Sequence, residues 1–300
     1  MTNPLRLGTG GSPLALARAR TVAGRLGAEL VAIGTPDTAP TATLESLREA
    51  LRTGEIDAAV HAYDALPHEP AEGIVVAAVP RRADARDAFC PAPGSSASGP
   101  DALDAGARVG VETPLRRAQL LGRHPELQVV VLEGELDAHL ARLADRRDDD
   151  AEPLDALLAS AADLERLERT GAATAFLDLS GWPPHPAQGA LAIETLAGKV
   201  TRVAKVEHRS TRLTTDAERA VVARLGIPGA LLGASALVDD GLLFLSARVY
   251  NADGTRELTS SHALYPEDAR DPAAELAERV ADELLAGGAR ELATAGGGSA

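Results

Sequence analysis

Asp57-Ala-Ala-Val-His-Ala-Tyr-Asp-Ala-Leu-Pro67 is the stretch on which the fold of this chain turns. Residues 58–61 read as a short buried strand. His61, Tyr63 and Asp64 stand at its end, where polar side chains can meet a ligand. In extended backbone a shift of one residue turns a side chain to the opposite face, so it matters that the carboxylate is Asp64 and that Ala65 follows it. Upstream, 5–9 reads as a strand and Ser12-Pro13 as the N-cap and first position of a helix running to about 26. A second strand at 29–33 and a helix at 44–53 closed by Gly54 follow. Downstream, 74–79 is another strand. Strands alternating with helices predict an α/β domain with a mainly parallel sheet.

The same reading continues outward. The Pro-, Ser- and Gly-rich stretch 91–100 predicts a surface loop. A second βα domain is expected from a strand at 108–111, a helix at 115–122 and a strand at 128–132. A helix at 135–145, a charged turn at 146–150, a strand or strand–helix junction at 156–161 and a helix at 164–169 come next. Residues 176–186 read as a loop. From about 200 a third domain is expected, with a helix at 214–225, strands at 234–238, 242–250 and 257–263, and a helix at 272–285. Asn251-Ala-Asp-Gly254 is a hairpin turn and 297–300 a frayed tail.

Composition narrows the function classes. Three hundred residues suit two or three domains. A net charge of −14 argues against a nucleic-acid partner, because phosphate contacts need a basic surface. No run is long and apolar enough for a membrane span or a secretory signal, so no membrane partner is expected. One cysteine, Cys90, makes no internal disulfide, and a cytoplasmic location is expected. Lys199 and Lys205 are the only lysines, which disfavours Schiff-base chemistry. No spacing reads as a metal site.

Several stretches match one family in order and at sensible spacing. Asp57, Ala59, Val60, His61 and Pro67 fit a D-I-A-V-H-S-M-K-D-V-P loop. Residues 6–16, Asp84-Ala-Arg-Asp-Ala-Phe89, Leu115-Arg-Arg-Ala-Gln-Leu120, Pro186-Ala-Gln-Gly-Ala-Leu-Ala-Ile-Glu194 and Thr215-Asp-Ala-Glu-Arg-Ala220 fit further motifs. Over nearly its whole length the chain resembles the porphobilinogen deaminase (hydroxymethylbilane synthase) family, whose members join pyrroles head to tail. The resemblance implies an α/β fold of three domains: 1–82 with 186–199, then 83–185, both α/β, and a small α+β domain at 200–300. It also implies that the first two resemble halves of a periplasmic-type binding protein, with a ligand cleft between them at the strand ends.

The departures from the family are ordered too. The family's catalytic aspartate position holds Ala65, and Asp64 stands one residue early. The loop that carries the family's dipyrromethane-bearing cysteine reads Leu225-Gly-Ile-Pro-Gly-Ala-Leu-Leu-Gly-Ala-Ser235, without cysteine, so no cofactor is expected. The family's carboxylate-clamping arginines are replaced at Gly10, Glu133 and His139, with Glu135 beside them. The lid segment 35–41 is short and lacks lysine.

Asp64, Glu112, Glu133 and His61 are the candidate acid/base groups, since a carboxylate or an imidazole can carry a proton near neutral pH. Thr9, Ser12, Tyr63, Arg116, Arg117, Glu135, His139 and Gln188 are the candidate binding residues. Thr9 and Ser12 open a helix whose N–H groups can hold an anion, or simply cap it. Arg116 and Arg117 near a helix start oppose the macrodipole and so suggest an anion partner. Trp182 is either an aromatic wall for a flat substrate or a packing residue. The expectation is a family member that is not a working deaminase. One reading is a repurposed enzyme of specialised metabolism that condenses an aromatic amine or amino acid with an aldehyde, in the manner of a Pictet–Spengler cyclisation. The other is an inactive small-molecule-binding homologue, with a divergent deaminase as a third.

Overall fold

The computed structural model describes residues 4–35, 39–145, 153–227, 229 and 231–294. The charged turn at 146–150 and the tail at 297–300 lie outside the described residues, as does the middle of the lid segment. In chain order the elements are β1 (Leu5–Gly10), α1 (Pro13–Leu26), β2 (Ala28–Ile33), α2 (Pro40–Thr53), β3 (Ala58–Ala62) and β4 (Ile74–Ala78). They continue with β5 (Asp87–Pro91), β6 (Arg108–Val111), α3 (Pro114–Arg123), β7 (Gln128–Val131), α4 (Leu136–Ala144), β8 (Ala156–Ser160), α5 (Ala161–Arg166) and β9 (Ala175–Phe176). The last are β10 (Leu191–Leu196), α6 (Arg209–Leu225), β11 (Leu231–Asp239), β12 (Leu242–Tyr250), β13 (Glu257–Leu264), α7 (Pro272–Ala286) and α8 (Ala289–Thr294).

The chain divides into two compact units, Met1–Asp84 with Gln188–Leu213, and Ala85–Ala187 with Thr214–Ala300. The first unit holds a five-stranded sheet ordered β2-β1-β3-β10-β4. β1 runs parallel to β2 and β3, and the returning strand β10 is antiparallel to β3 and β4. The second unit repeats this plan in the order β7-β6-β8-β5-β9, with β6 parallel to β7 and β8 and β5 antiparallel to β8 and β9. It also holds the antiparallel sheet β11-β12-β13. No helix among the described residues is long and apolar enough to cross a membrane.

Local sequence explains the helix ends that matter. Ser12 Oγ accepts the Ala15 N–H, Pro13 takes the first helical position, and Gly27 closes α1 at φ 61°. Thr113 caps α3 in the same way, with Pro114 behind it. Four expected boundaries move by three residues or more. α2 starts at Pro40 rather than 44, because Pro is well placed at a helix start, α5 runs over Ala161–Arg166 rather than 164–169, α6 starts at Arg209 rather than 214, and β11 starts at Leu231 rather than 234.

Leu5, Leu7, Ala19, Val22, Val60 and Ile193 form the core between α1 and the first sheet. Burying Leu7 alone is worth about 1.5–3 kcal/mol. Phe89, Val109, Val111, Leu120 and Trp182 pack on the second sheet. Trp182 is therefore a packing residue, 8% exposed and covered by the Arg123 guanidinium at 4.4 Å from the ring centre. α3 is held from below by the hairpin turn after β12. Gly254 sits at φ 70°, and a Cβ there would collide with the Ala118 carbonyl.

Candidate functional site

In the first unit β3 does not run on as extended chain past Ala62. It turns into one turn of 3₁₀ helix, Tyr63–Ala65, closed by the Leu66 N–H on the Tyr63 carbonyl at 3.4 Å. Asp64 therefore sits on a turn, half-buried, and the face-alternation rule of a strand does not set its direction. Tyr63 is buried, and its N–H donates to the Ala190 carbonyl at 3.0 Å.

His61 is still on β3 and points to β10. Its Nε2 lies 3.2 Å from Glu194 Oε2, close enough to pair but poorly aligned for a hydrogen bond. Arg48, from α2, closes on the same carboxylate as a fork, with Nη2 at 2.9 Å from Oε1 and Nε at 3.2 Å from Oε2. Arg48 and Glu194 are 6% and 3% exposed. Burial pushes the Glu194 carboxyl up, but His61 and Arg48 outweigh it and hold it down at about 2.

The other expected residues of this unit serve the backbone. Thr9 is buried and its hydroxyl donates to the Ala15 carbonyl at 3.0 Å, beside the Ser12 cap. Gln188 is buried, and its carbonyl accepts Arg82 Nε at 2.8 Å. A hollow of about 540 Å³ opens at the opposite end of the strands, lined by Pro4, Arg6, Glu29, Asp57 and Arg202. There Asp57 Oδ1 lies 3.3 Å from both Arg6 Nη2 and Arg202 Nη1. None of the expected site residues lines it.

In the second unit Arg116 and Glu112 meet at the start of α3. Arg116, 4% exposed, gives Nη2 and Nε to Asp87 Oδ1 at 2.7 and 3.0 Å, and Nη1 to Glu112 Oε2 at 2.8 Å. The other Glu112 oxygen faces His139 of α4, whose Nδ1 is 3.5 Å from Oε1. His139 Nε2 contacts the Glu133 carbonyl at 3.1 Å. Burial raises the Glu112 carboxyl, but His139 and Arg116 prevail and lower it. Glu112 in turn raises His139 above its usual range.

Arg117 reaches the other way and donates to the Ala252 carbonyl of the hairpin turn at 3.2 Å. Glu133 and Glu135 are exposed, and Glu135 precedes α4 without capping it. The expected residues thus form two groups, one in each unit. His61, Tyr63 and Asp64 follow one another on β3 and its turn, while Glu112, Arg116 and His139 are brought together by ion pairing.

Arg48, Glu194 and Asp87 were not foreseen. A signal for Glu194 exists, since an acid inside the apolar run Leu191–Leu196 must find a cation. Arg48 falls between Leu47 and Leu51 on the buried side of α2, and needs an anion for the same reason. Among the described residues no group of His, Cys, Asp or Glu could hold a metal ion.

Residues 5–204 match the family model described as porphobilinogen deaminase, dipyromethane cofactor binding domain. A porphobilinogen deaminase of Leifsonia xyli is 42% identical over 96% of this chain and 94% of its own length. That of Nocardia farcinica is 39% identical over 96% and 88%. Among solved structures, the periplasmic VFT2 domain of Bordetella pertussis BvgS aligns over 67% of this chain and 86% of its own, at 17% identity and a TM-score of 0.39. That likeness is too weak to bear on function.

The family match corrects one expectation. The absence of the loop cysteine predicts no cofactor, yet the matched domain is the dipyrromethane-binding one, so a dipyrromethane is what the family implies for this chain. The residues present do not fit its attachment through a thioether. Cys90 is the single cysteine, it is fully buried in β5, and burial pushes its thiol up to about 12.

Proposed function

The chain belongs to the porphobilinogen deaminase family, and from that premise we propose that it is a small-molecule-binding member of the family that does not polymerise pyrroles. The observation that carries this reading is the fate of two carboxylates, one buried at Glu194 and one half-buried at Glu112. Glu112 and Glu194 are each locked to an arginine and placed beside an imidazole, and both are held below the ordinary carboxylate range. An acid/base catalyst works best when its pKa lies near the operating pH. These two carboxylates have been moved the other way.

In this reading the ligand meets His61, Tyr63 and Asp64, with Thr9, Ser12 and Gln188 behind them, in the domain formed by 1–82 and 186–199. In the domain 83–185 the exposed carboxylates Glu133 and Glu135 are the groups open to a ligand, since Arg116 and His139 face Glu112 and Arg117 faces the hairpin turn. The protein acts in the cytoplasm.

A second reading keeps catalysis. Asp64 stands half-buried on the turn directly after β3, where a carboxylate can serve an iminium or azafulvene-like cation. Condensation of an aromatic amine with an aldehyde is the reaction that would use it.

The test offers the purified full chain porphobilinogen, and separately tryptophan-like amines with a panel of aldehydes. Melting temperature and product mass are read in parallel. Stabilisation by a ligand without turnover is expected. Bilane formation from porphobilinogen would overturn the proposal, and a single-enantiomer condensation product lost in Asp64→Asn would replace it with the second reading.

A further inference from the structure

The Arg116–Glu112–His139 cluster has the form of an anion site with an occupant already inside. Arg116 is neutralised by Asp87, which takes two of its N–H groups. Its Nη1 turns away from Asp87 to Glu112. His139 lies opposite, 4% exposed, with Nδ1 aimed at the same carboxylate from 3.5 Å and holding no hydrogen bond. Two buried nitrogen donors from different helices thus converge on one carboxylate. That carboxylate belongs to the residue before the N-cap of α3, and its side chain is 23% exposed, so the site opens to solvent through Glu112 itself.

We propose that Arg116 Nη1 and His139 Nδ1 form a carboxylate-binding site that this chain keeps filled with its own Glu112, which makes Glu112 the residue that excludes carboxylate ligands from the second unit. A tethered carboxylate competes with any free one at a high effective concentration. A ligand arm carrying a carboxylate enters only where Glu112 leaves, and ligands without one are favoured. This deepens the binding reading by naming a ligand class that is rejected. Its test stands apart from that reading, because it needs no natural ligand.

The probe is propionate, titrated into the full chain and followed by calorimetry and by melting temperature, with sodium chloride at matched ionic strength as control. Wild type is expected to show no saturable response. Glu112→Ala is expected to bind propionate at least about tenfold more tightly than wild type, since a charge-assisted contact to arginine is regained. Glu112→Gln keeps the space filled and gains nothing. Adding His139→Gln to Glu112→Ala abolishes the gain, which places it at this site. Equal binding by wild type, or a folded Glu112→Ala that ignores propionate, overturns the proposal. If Glu112→Ala does not fold, Glu112→Asp withdraws the carboxylate by one methylene, and its propionate affinity must then exceed that of wild type. A failed ligand screen leaves a positive propionate result standing.

Discussion

Arg48→Met is the sharpest probe of the first unit. It keeps an apolar stem in the buried slot and removes the guanidinium. At the 2.9 Å between Arg48 Nη2 and Glu194 Oε1, an effective dielectric of about 20 gives an attraction of about 6 kcal/mol before desolvation. The net figure comes from the carboxyl. Glu194 falls from 4.5 to about 2, and at about 1.4 kcal/mol per unit its ionised form gains roughly 3 kcal/mol on folding with burial already subtracted. His61 and Arg48 share that gain, but removing the arginine also strands a buried charge, which costs about 3–5 kcal/mol. A loss of about 3 kcal/mol at neutral pH is therefore expected.

The sign with pH follows. A carboxyl depressed by folding stabilises above its unfolded value and loses that contribution as pH falls through its folded one. In wild type the loss runs from about 4.5 down to about 2. Urea unfolding by far-ultraviolet circular dichroism reads the total, and hydrogen exchange at 191–196 reads the local share. The double variant Arg48→Met with Glu194→Gln should recover much of the loss, because no buried charge is stranded. A single-variant loss below about 1 kcal/mol, or a wild-type profile flat across that acid window, refutes the reasoning.

Three further outcomes are expected. Folding raises His139 above 6.5, so its contribution is complete below that pH and fades as pH climbs through the raised value; His139→Gln should flatten the alkaline side of the stability profile, and a profile that keeps its slope counts against the Glu112 contact. Cys90 should resist alkylation at mildly alkaline pH while the protein is folded and react once it is unfolded, and rapid labelling of the folded chain would contradict its burial. Gly254→Ala should destabilise by roughly 1–3 kcal/mol in thermal unfolding, and a neutral result would mean that the hairpin does not lean on α3 as closely as Ala118 and Gly254 indicate.

The architecture was legible because its signals are local. Ser12-Pro13, Gly54 and the hairpin turn at 251–254 each fix an element end by backbone chemistry alone. The α/β alternation then follows from the spacing of those ends. The candidate sites were legible only by position. Asp64, His61, Glu112 and Arg116 could be singled out as polar residues near strand ends, but pairing is a long-range property. Arg48 and Glu194 are 146 residues apart in the chain, and Asp87 is 29 residues from Arg116. Neither pair has a period or a spacing to announce it. The strand end near His61 was legible, but not the 3₁₀ turn at Tyr63–Ala65 that follows, because no Gly or Pro marks it before Pro67.

The two networks repeat one device on two sheets. In the first unit the arginine comes from a helix, the glutamate from the returning strand and the histidine from β3. In the second the arginine and histidine come from two helices, and the glutamate from the turn that opens α3. The contacts that stabilise each half also lower its carboxylate, so stability and proton transfer compete for the same groups. That competition gives the variants an order of value. Glu112→Gln and Glu194→Gln disturb packing and chemistry together, and a loss of activity in either has two explanations. Asp64→Asn alters a half-buried turn residue by one atom and leaves Glu112 and Glu194 with their arginines. If any condensation is catalysed, that variant tests its chemistry with both Glu112 and Glu194 still paired to their arginines.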